Sequence, residues 1–204
     1  MKQLPLAGTF RLILISFAGV GLLCSPVAAN SVTDLKLETK HTSVYNKISY
    51  RIPRGWVVID GESDWIAAST DKQFWEPGFD PDADTCYSVS KIFPYLTMED
   101  FAEKRVRSLH DLATATLHSL EVAADAKATR DAKPFSLNGN EAISILASIG
   151  DSHVHYQIFI RLSDTEVATV SGNGPGDQLD NIRTLVNKIA TTVQSAMKKP
   201  KRNQ

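Results

Sequence analysis

The run Leu12–Leu23 is apolar apart from Ser16, and the only charges ahead of it are Lys2 and Arg11. Pro26 ends any helix there, and Val27-Ala28-Ala29 supplies small residues at a cleavage position. A basic start, an apolar run and a small-residue site are the parts of a secretory signal. The run is shorter than the ~20 residues needed to span a bilayer. Residues 1–29 are therefore expected to be cut off before Asn30 and not to remain as an anchor. Leu22-Leu23, in front of Cys24, lacks the small residue that a lipidation site wants beside its cysteine.

Export constrains the fold through the cysteines. The compartment allows disulfides, yet the mature chain would keep one cysteine, Cys86, and no intramolecular bridge can form. About 175 residues must then hold together by packing, which suits one domain with a full core. Cys86 lies in Cys86-Tyr87-Ser88-Val89-Ser90 and is expected to be a small, buried, passive strand residue. Loss of Lys2 and Arg11 takes the formal net charge from −1 to −3. So small a charge gives no whole-domain reason to bind nucleic acid. No stable membrane insertion is expected after cleavage, and the location is periplasmic or secreted.

Residues 30–46 are polar and read as a loose N-terminal arm ahead of a single domain at 47–197, with a basic tail at 198–204. Ile48, Tyr50 and Ile52 alternate with Lys47, Ser49 and Arg51, the period of a half-buried strand. Pro53-Arg54-Gly55 turns the chain, and Trp56–Ile59 resumes as the second arm of an expected hairpin, with the Trp56 ring in the core. Trp65–Ala68 and Cys86–Phe93 read as further strands. Thr97 caps an amphipathic helix expected to fade near Thr114-Ala115-Thr116. Asn138-Gly139 predicts a tight hairpin turn. Strands Ala142–Ser148, His153–Leu162 and Val167–Val170 follow, and a last helix begins near Asp177 with Leu179, Ile182, Leu185, Val186, Ile189 and Val193 on one face. The order strands, helix, strands, helix is an α+β pattern.

Tyr50-Arg51-Ile52-Pro53-Arg54-Gly55-Trp56-Val57-Val58, the helix from Thr97, the Asn138-Gly139 turn and Val167–Gly172 before the last helix together resemble the PsbP-like family over roughly residues 45–197. That family includes lumenal accessory proteins of photosystem II, a Ran-binding nuclear-transport protein and many bacterial exported proteins. The resemblance implies a three-layer α/β/α sandwich with a mainly antiparallel sheet and two main amphipathic helices. It implies binding or assembly roles and brings no active-site motif with it.

Two groups of residues invite functional readings. Phe74-Trp75-Glu76-Pro77-Gly78-Phe79-Asp80 lies in a long irregular segment, Asp71 to Thr85, that mixes large aromatics with acids. Phe74, Trp75, Glu76, Phe79 and Asp80 are the candidate partner-binding set, because aromatic anchors bordered by charge suit a protein interface. The competing reading has the same aromatics folded back over a sheet edge. Asp80, Asp82 and Asp84 could cluster around a hard cation, but Thr85 and Lys91 stand where a calcium loop starting at Asp80 needs Gly and Glu. His153 and His155 share one strand face and are the other metal candidates, set against a reading as a solvent-facing polar row. Gly172-Asn173-Gly174-Pro175-Gly176 lacks P-loop spacing and reads as a strand-to-helix connector. No G-x-S-x-G elbow or H-E-x-x-H is present, so the chain is expected to be non-enzymatic and to need no cofactor. The leading expectation is an exported protein-binding factor with an assembly, accessory or inhibitory (immunity) role. The alternative is a periplasmic metal- or small-ligand-binding protein.

Overall fold

The computed structural model describes residues 35–59, 61, 63–67, 86–92, 108–124, 126–128 and 132–196. These form eleven strands and two α-helices, with every strand pair antiparallel. The class is α+β, as expected. A small sheet runs in the order β1 (Leu37–Thr42), β2 (Ile48–Pro53), β11 (Gln194–Ser195). The large sheet runs β3 (Val57–Ile59), β4 (Asp64–Ala67), β5 (Cys86–Ile92), β10 (Val167–Pro175), β9 (His153–Arg161), β8 (Asn140–Ile149), β6 (Ala126–Ala128). β7 (Lys133–Leu137) also pairs with β8, through the expected tight turn, in which Asn138 and Gly139 have φ of 51° and 80°.

Strand alternation decides which helix each face meets. On β9, Val154, Tyr156, Ile158 and Ile160 join the core built with α2 (Leu179–Ala190), which buries Ile182, Leu185, Val186 and Ile189. Phe159, from the alternate set, joins Ile143, Ile145 and Val167 under α1 (Leu109–Ala124), through Leu109 and Ala113. The two helices thus draw on opposite faces of β9.

Five expectations are corrected. Residues 30–46 are not simply a loose arm, because β1 lies within them and pairs with β2 from Leu37↔Pro53 to Thr42↔Ser49. β2 and β3 are not a hairpin. β2 belongs to the small sheet and β3 pairs with β4, so the Pro53–Trp56 turn, with Gly55 at φ 81°, carries the chain from one sheet to the other. As the middle strand of its sheet, β2 buries Ser49 as well as its apolar residues. Trp56 is half-buried, its ring 5.7 Å from Tyr87 at the margin of the core. The first helix does not fade at Thr114–Thr116 but continues to Ala124. There Thr116 and Ser119 turn their hydroxyls back onto the carbonyls of Leu112 and Ala115, and apolar contacts outweigh the poor propensity of β-branched residues. The described helix starts behind Ser108, whose Oγ accepts from the Asp111 N–H at 3.1 Å, while Thr97 lies outside the described residues. Finally, Gly172–Pro175 is not a connector but the end of β10, and a short 3-10 turn, Gly176–Gln178, leads into α2.

Gly172 stands where a side chain would not fit. A Cβ there would stand 2.8 Å from Ile182 Cγ2, 2.9 Å from Val186 Cγ2 and 3.0 Å from Tyr87 Cδ1. The missing side chain is what lets α2 sit directly on β10. Gly172→Ala should destabilise the protein by ~1–3 kcal/mol in urea unfolding, as overpacking does. Gly176→Ala, whose Cβ would meet nothing closer than 3.4 Å, should cost less. Equal midpoints for the two variants would contradict the close-approach reading.

Candidate recognition face and its buried supports

On one face of β5, β10 and β9, residues in register form polar rows. Cys86, Asn173 and His155 make the first, and Ser88, Ser171 and Gln157 the second. Ser90, Thr169 and Phe159 make the third, where the face turns apolar toward α1. The side chains are paired across strands: Ser88 Oγ with Ser171 Oγ at 2.6 Å, and Ser90 Oγ with Thr169 Oγ1 at 2.6 Å. One hydroxyl of each pair donates to the other, and Thr169 Oγ1 also donates to the Ser90 carbonyl at 3.5 Å. Thr169 and Ser171 are buried and Ser88 and Ser90 half-buried, so these uncharged rows are largely covered.

His155 is buried, not solvent-facing: it is 9% exposed. Its Nδ1 meets Asn173 Oδ1 and its Nε2 meets Gln157 Oε1 at 2.9 Å. Which nitrogen donates and which accepts depends on the ring's tautomer and on the amide orientations. Either way both nitrogens are engaged in hydrogen bonds. His153 is half-buried and bonded to Ser152 Oγ at 2.9 Å, and Asp151 stands in the preceding turn. No group of three metal-ligating side chains forms among the described residues. Asp80, Asp82 and Asp84, like Phe74, Trp75, Glu76 and Phe79, lie outside the described residues. Cys86 is buried as expected, 1% exposed, with Asn173 Nδ2 3.9 Å from its sulfur. Beside it, Tyr87 has its phenol pushed well above the ordinary value, first by burial and then by Cys86, so it stays protonated at neutral pH.

Two buried polar groups support this face from the side of the small sheet. The Asp64 carboxylate, fully buried at the start of β4, accepts from Ser43 Oγ at 3.0 Å and Tyr50 OH at 2.8 Å, with His41 Nε2 at 3.5 Å. Ser43 Oγ in turn accepts from the Asn46 backbone N–H at 3.1 Å, and Asn46 Oδ1 accepts from the Lys91 N–H of β5 at 2.9 Å. A nucleophilic relay would need Ser43 to give its proton to the histidine. Here it gives it to the acid, and the group acts as a clamp between sheets. The second group is Lys91 Nζ with Glu166 Oε1 at 2.6 Å, the two side chains 3% and 6% exposed, with Ser195 Oγ of β11 at 3.4 Å from Glu166 Oε2.

Sequence reading found the strands of this face but missed most of its chemistry. The period-two pattern of Ser88-Val89-Ser90 and His155-Tyr156-Gln157 was a usable signal. Reading Asn173 into a connector hid the partner that joins the rows. Asp64, Tyr50, Ser43, Lys91 and Glu166 carry no motif spacing, since they meet only through the sheet topology.

Breaking a buried ion pair on one side strands the remaining charge, whereas replacing both partners removes the problem. Lys91→Met or Glu166→Leu alone should therefore cost ~3–5 kcal/mol, and the two together should recover most of that loss in denaturant titrations. Additive losses in the double variant would contradict the pairing.

No protein-family model matches the chain. No curated protein matches it either. Among solved structures, it is similar to cyanobacterial PsbP (CyanoP) from Synechocystis sp. PCC 6803, at 13% identity and a TM-score of 0.52, over 90% of this chain and 99% of that one. It also matches LpqN, involved in cell envelope biogenesis of Mycobacterium tuberculosis, at 12% identity and a TM-score of 0.44, over 76% of this chain and 88% of that one. The likeness to CyanoP, together with the antiparallel sheets and two helices, gives this chain a PsbP-like fold.

Proposed function

We propose that this protein is an exported, non-catalytic factor that binds another protein in an assembly, accessory or inhibitory role. In this reading residues 1–29 are a cleaved signal, the helices and large sheet form the three-layer α/β/α sandwich of the PsbP-like resemblance, and the location is periplasmic or secreted. No helix among the described residues is long and apolar enough to cross a membrane.

One observation carries the proposal. β4 and β5 pair with Ile66 opposite Tyr87, so the segment between them leaves and rejoins the sheet at Ala67 and Cys86. Cys86 is also the end of the Cys86–Asn173–His155 row. The aromatic, acidic stretch with Phe74, Trp75, Glu76, Phe79 and Asp80 belongs to the segment that joins these two ends. Aromatic anchors bordered by charge are what a protein interface uses. The uncharged polar rows favour a second reading, in which the protein takes a metal or small polar ligand; assay of purified protein for bound metal and small molecules separates the two.

Trp75→Ala tests the proposal. As an interface anchor it should leave the melting temperature nearly unchanged while weakening capture of the partner, co-purified from the envelope fraction, by ~2 kcal/mol or more. If the variant melts early and keeps its binding, Trp75 is a structural lid and the interface reading fails.

A further inference from the structure

Asparagine followed by glycine is especially prone to deamidation, because glycine puts no side chain in the way of its own backbone nitrogen. That nitrogen, giving up its proton, attacks the asparagine Cγ. The Cγ–Nδ2 bond breaks, and ammonia leaves with the proton. Water then opens the resulting succinimide at one carbonyl or the other, which leaves aspartate or isoaspartate. Water is the only co-reactant. The chain holds this pair twice, at Asn138-Gly139 and at Asn173-Gly174.

The fold treats the two pairs differently. Asn173-Gly174 lies inside β10, between β5 and β9, with Asn173 opposite Cys86 on one side and His155 on the other. The Asn173 amide is bonded to His155 Nδ1. Reaction there needs β10 to leave the middle of the large sheet, an opening close to global unfolding. Asn138-Gly139 is instead the exposed tip of the β7–β8 hairpin. Asn138 Nδ2 donates to the Thr191 carbonyl. Thr191 caps the C-terminal end of α2, where the last carbonyls lack partners within the helix. The bond therefore fastens the hairpin to the end of α2. Only this exposed bond and a two-residue turn must open before the Gly139 nitrogen can reach the Asn138 Cγ.

We propose that Asn138 deamidates spontaneously in the folded protein while Asn173 does not, and that its conversion unfastens the β7–β8 hairpin from α2. The amide is a donor, and the ionised carboxylate that replaces it is not. That carboxylate faces the Thr191 carbonyl and the negative end of the α2 dipole, so attraction becomes repulsion. Where aspartate forms, the turn itself survives, since Asp-Gly suits the same turn as Asn-Gly. Isoaspartate routes the main chain through Cβ and lengthens the turn as well. Asn138, Gly139 and Thr191 belong to none of the polar rows of β5, β10 and β9, so the proposal stands whatever those rows bind.

The test is peptide mapping by mass spectrometry after the purified protein has stood in mildly alkaline buffer, with and without urea. In urea both asparagines should convert at similar rates. Without urea, Asn138 should convert within about thirtyfold of its rate in urea, since one exposed hydrogen bond holds it. Asn173 should slow by at least about a thousandfold, as reaction through near-global opening requires. Equal conversion of the two sites without urea would overturn the proposal, and so would a folded Asn138 that stays intact while both sites react in urea. Hydrogen exchange on Asn138→Asp, which keeps the turn chemistry, reads the unfastening. Amides of β7 and of the last turn of α2 should exchange about tenfold faster than in the parent protein, with those of β5 and β10 unchanged. Unchanged exchange in β7 and α2 would overturn the fastening role of the Asn138–Thr191 bond.

Discussion

A single buried carboxylate ties the two sheets together. Asp64 has no access to water, and an ionised acid in that position is tolerated only if its lone pairs are filled. Tyr50 from β2 and Ser43 from the β1–β2 turn fill them, with His41 of β1 close by. Asp64 itself starts β4, which belongs to the large sheet. The bonds that solvate the acid are therefore also the bonds that hold the small sheet in place.

Other features depend on that placement. The β1–β2 turn can reach the Lys91 N–H of β5 because Ser43 is pinned to Asp64. β11 can close the small sheet beside β2, and its Ser195 can reach Glu166, because β2 is fixed. α2 then packs between Ile48 and Tyr50 of β2 and the apolar residues of β9 and β10, at a distance that only Gly172 permits. α2 covers one face of the central strands and α1 part of the other, where the uncharged Ser, Thr, Asn, Gln and His rows lie, buried or half-buried. The candidate recognition face is the remainder of the packing scheme.

Much of the fold was legible because hydrophobic periodicity is local. Ile48-Ser49-Tyr50-Arg51-Ile52, the Asn138-Gly139 turn and the stripe Ile182, Leu185, Val186, Ile189 each announce an element within a few residues. Pairing is not local, and there the reading failed. The Pro53–Gly55 turn looks like a hairpin turn, yet it moves the chain between sheets. β1 was missed because its residues, Leu37-Glu38-Thr39-Lys40-His41-Thr42, are nearly all polar and gain their strand from β2 alone. The site was less legible still. His155 and Ser88 lie on recognisable strands, but the Asp64 and Lys91–Glu166 groups unite residues up to 75 positions apart in the case of the ion pair. The aromatic segment around Trp75 lies outside the described residues, so its reading still rests on composition and on where its ends attach.

Hydrogen exchange on an Asp64→Ala variant measures the central claim most directly. If Asp64 clamps the small sheet to the large one, amides of β1, β2 and β11 should lose protection by about tenfold or more relative to those of β8 and β9, which lie far along the other sheet, as sub-global opening does. A uniform loss across all strands, or protection of β2 equal to that of the parent protein, would contradict the account.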